Sequence, residues 1–161
     1  MRTETLTQKE KELIAVGTAV SAGCQRCCNY HFKKVFEVGA TLDEVKASIM
    51  NATNVIALAD EMMQRKAYAL MEVTREEVEV NNTEQLDRMD ALVRIGAAVA
   101  SNCTPTIELQ IEAAKAALLN HDEMIVAIKL GKMILRKAGE FADEAISESL
   151  ASAEEKEIQT G

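Results

Sequence analysis

The chain has 161 residues, enough for one domain or two small fused units, and its 26 acidic against 18 basic side chains leave a net charge of −8. That charge, with no Lys/Arg stripe, argues against nucleic-acid binding. No apolar run approaches the roughly 18 residues of a membrane span, and Met1–Glu10 lacks the apolar stretch of a secretory signal.

A single proline, seven glycines, no tryptophan and an abundance of Ala, Leu, Met, Glu and Lys predict an all-α fold rather than a β-sandwich or barrel. Thr7-Gln8-Lys9-Glu10 reads as a capping box opening the first helix. Leu13, Val16, Gly17 and Val20 then form one helical stripe, and Gly23 ends it. A second helix is expected from about Cys24 to Val38, stopping at Gly39. Thr41-Leu42-Asp43-Glu44 is a second capping box, opening a third helix. The polar run Asn51-Ala52-Thr53-Asn54 predicts a break or kink, with a long helix following from about Val55 to Glu79. Asn81-Asn82-Thr83 marks the best internal boundary, with a new helix starting near Glu84.

The second half repeats the first. At an offset of 79 residues, without a gap from Leu13 to Val55, Leu13 meets Leu92, Gly17 meets Gly96, Val20 meets Val99 and Cys24 meets Cys103. The capping box returns as Asn120-His121-Asp122-Glu123. The expected organisation is therefore one unit over residues 1–80 and a degenerate copy over 81–161. Where the first half has Glu12, Cys24, Cys27 and His31, the second has Ala91, Cys103, Thr106 and Gln110. The chemistry is confined to the first.

The segment that carries it is Gly23-Cys24-Gln25-Arg26-Cys27-Cys28-Asn29-Tyr30-His31. A C-x-x-C at a helix start places thiolates where the helix dipole and free N–H groups stabilise them. The i, i+3 spacing puts both sulfurs on one face, near enough for a disulfide. His31 lies a turn further on that face, where an imidazole can take a thiol proton. Glu12, from the preceding antiparallel helix, can orient the ring. Three readings compete on spacing alone: a dithiol redox site, a metal site made of the two cysteines, the histidine and the glutamate, and buried structural cysteines with a solvated histidine. Haem attachment is excluded, because Cys28 and not histidine follows Cys27. Clustered thiols in a chain without secretory features predict a reducing, cytoplasmic setting.

The pattern Glu12, eleven residues, Cys24-x-x-Cys27, three residues, His31 resembles the signature of the alkylhydroperoxidase D (AhpD)-like group within the carboxymuconolactone decarboxylase family. The surrounding text is similar too, from Leu6-Thr7 through Glu12-Leu13-Ile14 and again over Val38–Val45. The resemblance implies a duplicated multihelical bundle that packs as a helix-swapped oligomer, a homotrimer for two-unit chains. It implies a thiol-dependent peroxidase with Cys27 peroxidatic, Cys24 resolving, His31 the base and Glu12 its relay partner. The partners would be a peroxide and a dithiol donor such as lipoamide or a thioredoxin-like protein, with no metal or other cofactor. In the duplicated peroxidase that defines the group the reactive motif lies in the second repeat, whereas here it lies in the first. A lactone decarboxylase of the same family, and a metal-binding or purely structural helical protein, are the alternatives.

Overall fold

A computed structural model of the chain describes residues 5–76, 78 and 85–160, the last seven by backbone alone. Among these residues it is all-α, with six helices: α1 Gln8–Ser21, α2 Gln25–Glu37, α3 Leu42–Leu70, α4 Arg88–Ser101, α5 Thr104–Ala116 and α6 His121–Thr160.

The helix ends follow local chemistry. Both sides of the Thr7–Glu10 capping box form: the Glu10 N–H donates to Thr7 Oγ1 at 3.2 Å, and the Thr7 N–H donates to Glu10 Oε2 at 2.7 Å. Thr41–Glu44 and Asn120–Glu123 close in the same reciprocal way. At the end of α1, Gly23 takes a left-handed φ of 62°. Its N–H then donates to Val20 O and that of Cys24 to Ala19 O. This turn satisfies the last carbonyls and delivers Cys24 to the start of α2.

Three expectations fail in the middle of the chain. Residues 51–54 do not break it, and α3 runs continuously from Leu42 to Leu70. The Asn51 amide donates to Ala47 O at 3.0 Å and to Asp90 Oδ1 at 2.7 Å, while its oxygen accepts from Arg94 Nε at 2.6 Å. Thr53 donates to Ile49 O at 2.9 Å. These side chains are engaged by their own helix and by α4, and so do not compete for the backbone groups that continue the helix. The helix ends at Leu70, short of Glu79, because Glu72 adopts a φ of 58°. The expected boundary Asn81-Asn82-Thr83 lies outside the described residues. The next helix starts at Arg88 rather than near Glu84, because the Asp87 carboxylate caps it by accepting the Asp90 N–H at 2.8 Å.

Helices α1 and α4 lie side by side at the centre, with Glu12–Ala19 and Ala91–Ala100 buried, and the other helices pack around them. Their crossing needs glycine. A Cβ on Gly17 would lie 2.5 Å from Val93 Cγ1, and one on Gly96 would lie 2.9 Å from Ile14 Cγ2. Val93 and Ile14 stand at the same 79-residue offset as the two glycines, so each contact is the counterpart of the other. Ion pairs repeat likewise: Lys9 bonds Glu44 at 2.7 Å, and Arg88 bonds Glu123 at 2.7 Å.

Gly131 sets the approach of α6 to α4: a Cβ there would meet Val99 Cβ at 2.8 Å and Gly96 O at 3.1 Å. Neither atom can rotate away. Gly131→Ala is expected to cost about 1–3 kcal/mol through overpacking, against a gain in helix propensity of about 1 kcal/mol. Gly139→Ala, in the same helix with nothing within 4 Å of the added carbon, should gain about 0.5–1 kcal/mol. Urea unfolding of both variants checks the pair, and a stabilising Gly131→Ala would contradict the tight crossing.

Candidate active site

The site is assembled by the turn from α1 into α2. Cys24 is the N-cap of α2, and its Sγ accepts the Cys27 N–H at 3.1 Å. Cys24 and Cys27 are joined as a disulfide, with Cα atoms 5.2 Å apart. Both sulfurs therefore sit in the positive end field of α2. His31 follows one turn above Cys27, and its Nδ1 lies 2.9 Å from Glu12 Oε2 on α1. The other Glu12 oxygen accepts from Gln8 Nε2 at 2.9 Å. The Tyr30 ring stands edge-on to the imidazole, 5.0 Å between centroids.

The chemistry follows from the arrangement. Glu12 and His31 are mostly enclosed, with side chains 9% and 12% exposed, so their hydrogen bond is little weakened by water. A carboxylate at Nδ1 favours the neutral tautomer that carries its proton there and leaves Nε2 as the basic atom. The arrangement can thus accept a proton on a ring one helical turn beyond Cys27, the order of groups that a carboxylate–imidazole–nucleophile relay requires. Of the four residues singled out from the sequence, Cys24 and Cys27 lie at the start of α2, while Glu12 in the first half of α1 and His31 midway along α2 meet across the two helices. Gln8 was missed, although its i, i−4 spacing from Glu12 is a readable signal.

A second omission has no short-range signal. Cys24 and Cys27 pack in one cluster with Ala15 and Ala19 of α1 and Ile134 of α6, bordered by Cys28, Ala138 and Phe141. Helix α6, from the half without reactive residues, therefore forms a wall of the site. Arg26 stacks 3.9 Å above the Phe141 ring and pairs with Glu144. Cys28 is outside the disulfide and half-buried, and that burial pushes its thiol pKa up, which keeps it protonated.

The corresponding place in the second half is built differently. Cys103 takes the N-cap position of α5 without a side-chain cap bond, and Thr106 Oγ1 lies 3.2 Å from its sulfur and 3.4 Å from Met62 Sδ, with one proton to give to either. Gln110 replaces the histidine; it is buried, and neither polar atom of its amide has a partner among the described residues. Ala91 replaces the glutamate. Here α3 forms the wall, with Met62 at the same offset that Phe141 has at the first site. Among the described residues, no group of three or more His, Cys, Asp or Glu is placed to hold a metal ion. No described helix is long and apolar enough to cross a membrane.

Comparison with known proteins finds no match among curated sequences and none among solved structures. It does find a family match: residues 1–69 fit the sequence model of the carboxymuconolactone decarboxylase family. That stretch holds α1, α2, nearly all of α3 and all four residues of the candidate site, so this part of the chain is similar to the carboxymuconolactone decarboxylase family.

Proposed function

We propose that the protein is a thiol-dependent peroxidase of the AhpD-like type, working through Cys24 and Cys27. The observation that carries this reading is the Glu12–His31 hydrogen bond, beside a helix end that holds two sulfurs within bonding reach. In the reduced protein, His31 takes the Cys27 proton. The thiolate attacks one peroxide oxygen, the O–O bond breaks, and the alkoxide leaves as an alcohol with that proton. Cys27 is then a sulfenic acid. The Cys24 thiolate attacks its sulfur and displaces water after protonation, closing the disulfide. A dithiol donor, such as lipoamide or a thioredoxin-like protein, reopens it by exchange. The balance is one peroxide and one dithiol converted to an alcohol, a water and a disulfide.

The second half is read as a duplicated unit over 81–161 that supplies scaffold and one wall of the site. The working form is proposed to be a homotrimer in the cytoplasm, where donor thiols are kept reduced. The family match keeps one rival open: decarboxylation of a lactone by His31 and Glu12, which would persist without either cysteine.

The test is peroxide consumption by the purified chain with an organic hydroperoxide and a dithiol donor. Turnover that needs both reagents supports the proposal. Peroxide loss no faster than in protein-free buffer overturns it.

A further inference from the structure

Each of the two sulfur-bearing residues is only 6% exposed, although both stand at a helix start beside the surface. A thiol that reduces a disulfide must approach one sulfur in line with the S–S bond. Part of the cover around the disulfide comes from α6, where Ile134 packs in the same cluster and Ala138 and Phe141 pack against it, a stripe with helical spacing. Phe141 is the outermost of the three. Every described residue after it, from Ala142 to Ala153, is exposed, so α6 leaves the body of the protein there. Two contacts hold that end of the cover down: the Arg26 guanidinium 3.9 Å above the Phe141 ring, and the Arg26–Glu144 ion pair. Both partners of the pair are more than half exposed, so it is weak and screened by salt.

We propose that Phe141, held by Arg26 and Glu144, is a specificity-determining gate through which the reductant reaches the Cys24–Cys27 disulfide. A donor must displace the ring before its thiolate can attack a sulfur, release the other cysteine as a thiolate and form a mixed disulfide. The donor's second thiol then resolves that bond. The gate rests on the dithiol being redox-active, but not on peroxide being the oxidant. It also gives the second half of the chain, which lacks the dithiol, a part in the reaction through Phe141 and Glu144. An aromatic cap lets a donor with an apolar docking face exchange its own contacts for those of Phe141, whereas a small polar dithiol must open the cap unaided.

The test uses the oxidised full chain and dithiothreitol, following thiol release by stopped flow. Phe141→Ala should be reduced about tenfold faster than the parent, the factor that corresponds to roughly 1.4 kcal/mol less opening cost. Arg26→Gln, on the surface and harmless to folding, should accelerate reduction about two- to fivefold, from the loss of one exposed cation–π contact. Phe141→Leu, which restores most of the cover, should fall back toward the parent rate. The parent's rate should also rise with ionic strength, and Glu144→Gln should remove that salt dependence, which a merely structural role of Phe141 would not produce. Rates for Phe141→Ala and Arg26→Gln within twofold of the parent would overturn the gate. Accelerated reduction in a protein that consumes no peroxide would sink the peroxidase reading alone.

Discussion

Replacing Cys27 with serine is expected to reduce peroxide-dependent oxidation of a dithiol donor by at least about 10³-fold, the scale seen when an activated nucleophile is removed. The hydroxyl that takes its place has no accessible anion at neutral pH, and a nearby imidazole does not make it competent to cleave an O–O bond. The fold should survive, since serine is close to cysteine in size and shape and Cys27 lies in the first turn of α2. Cys24→Ser should behave differently. It keeps the attacking sulfur, so it should react with one equivalent of peroxide and stop as a sulfenic acid on Cys27. Steady-state turnover would be lost while the first stoichiometric step remained. Trapping that acid with a dione and locating the adduct by peptide mass distinguishes the two variants. An adduct on Cys24 in the Cys27→Ser protein would reverse the assigned roles.

Glu12→Gln is expected to slow the peroxide step by about 10²-fold or more, within the range of general-base effects. The effect is electrostatic and tautomeric. Glu12 is buried and hydrogen-bonded to Nδ1 at 2.9 Å, so it sets the ring's proton on that nitrogen and stabilises the imidazolium formed when His31 takes the thiol proton. An amide is nearly isosteric, and the packing should be kept, but it neither imposes the tautomer nor offsets the positive charge. His31→Ala should cost a similar factor. Because the two residues act as one unit, the double variant should be little worse than either single one. Rates of peroxide reaction measured by stopped flow across this cycle check the claim. Full additivity would show that Glu12 and His31 act independently.

How much of this was legible in the sequence depends on how far each interaction reaches along the chain. The capping boxes at Thr7 and Thr41, the glycine stops at Gly23 and Gly39, and the start of α2 at Cys24 all depend on neighbours within a turn or two. They were readable. So was the closeness of Cys24 and Cys27, which follows from their i, i+3 spacing at a helix start. The Glu12–His31 contact spans two helices and was suggested by the antiparallel turn between them, together with a family resemblance. Asn51 was misread because its partners Asp90 and Arg94 are about forty residues away, and those partners turn a helix breaker into a helix–helix linker. The wall formed by Phe141 and Glu144 was invisible for the same reason: the Arg26–Glu144 pair joins residues 118 positions apart. Nothing in the local text around Phe141 distinguishes it from any apolar residue on a helix face.

The most direct measurement is the thiol inventory of the fully reduced protein before and after one equivalent of peroxide, by intact mass and peptide mapping after alkylation. One equivalent of peroxide should remove two hydrogens per chain and leave a single linked peptide joining Cys24 to Cys27. Cys28 and Cys103 should remain alkylatable, since burial keeps the Cys28 thiol protonated and Cys103 has Thr106 in place of a second sulfur. A protein whose Cys24 and Cys27 stay reduced under peroxide, or whose new bond joins Cys28, would contradict a Cys24–Cys27 cycle.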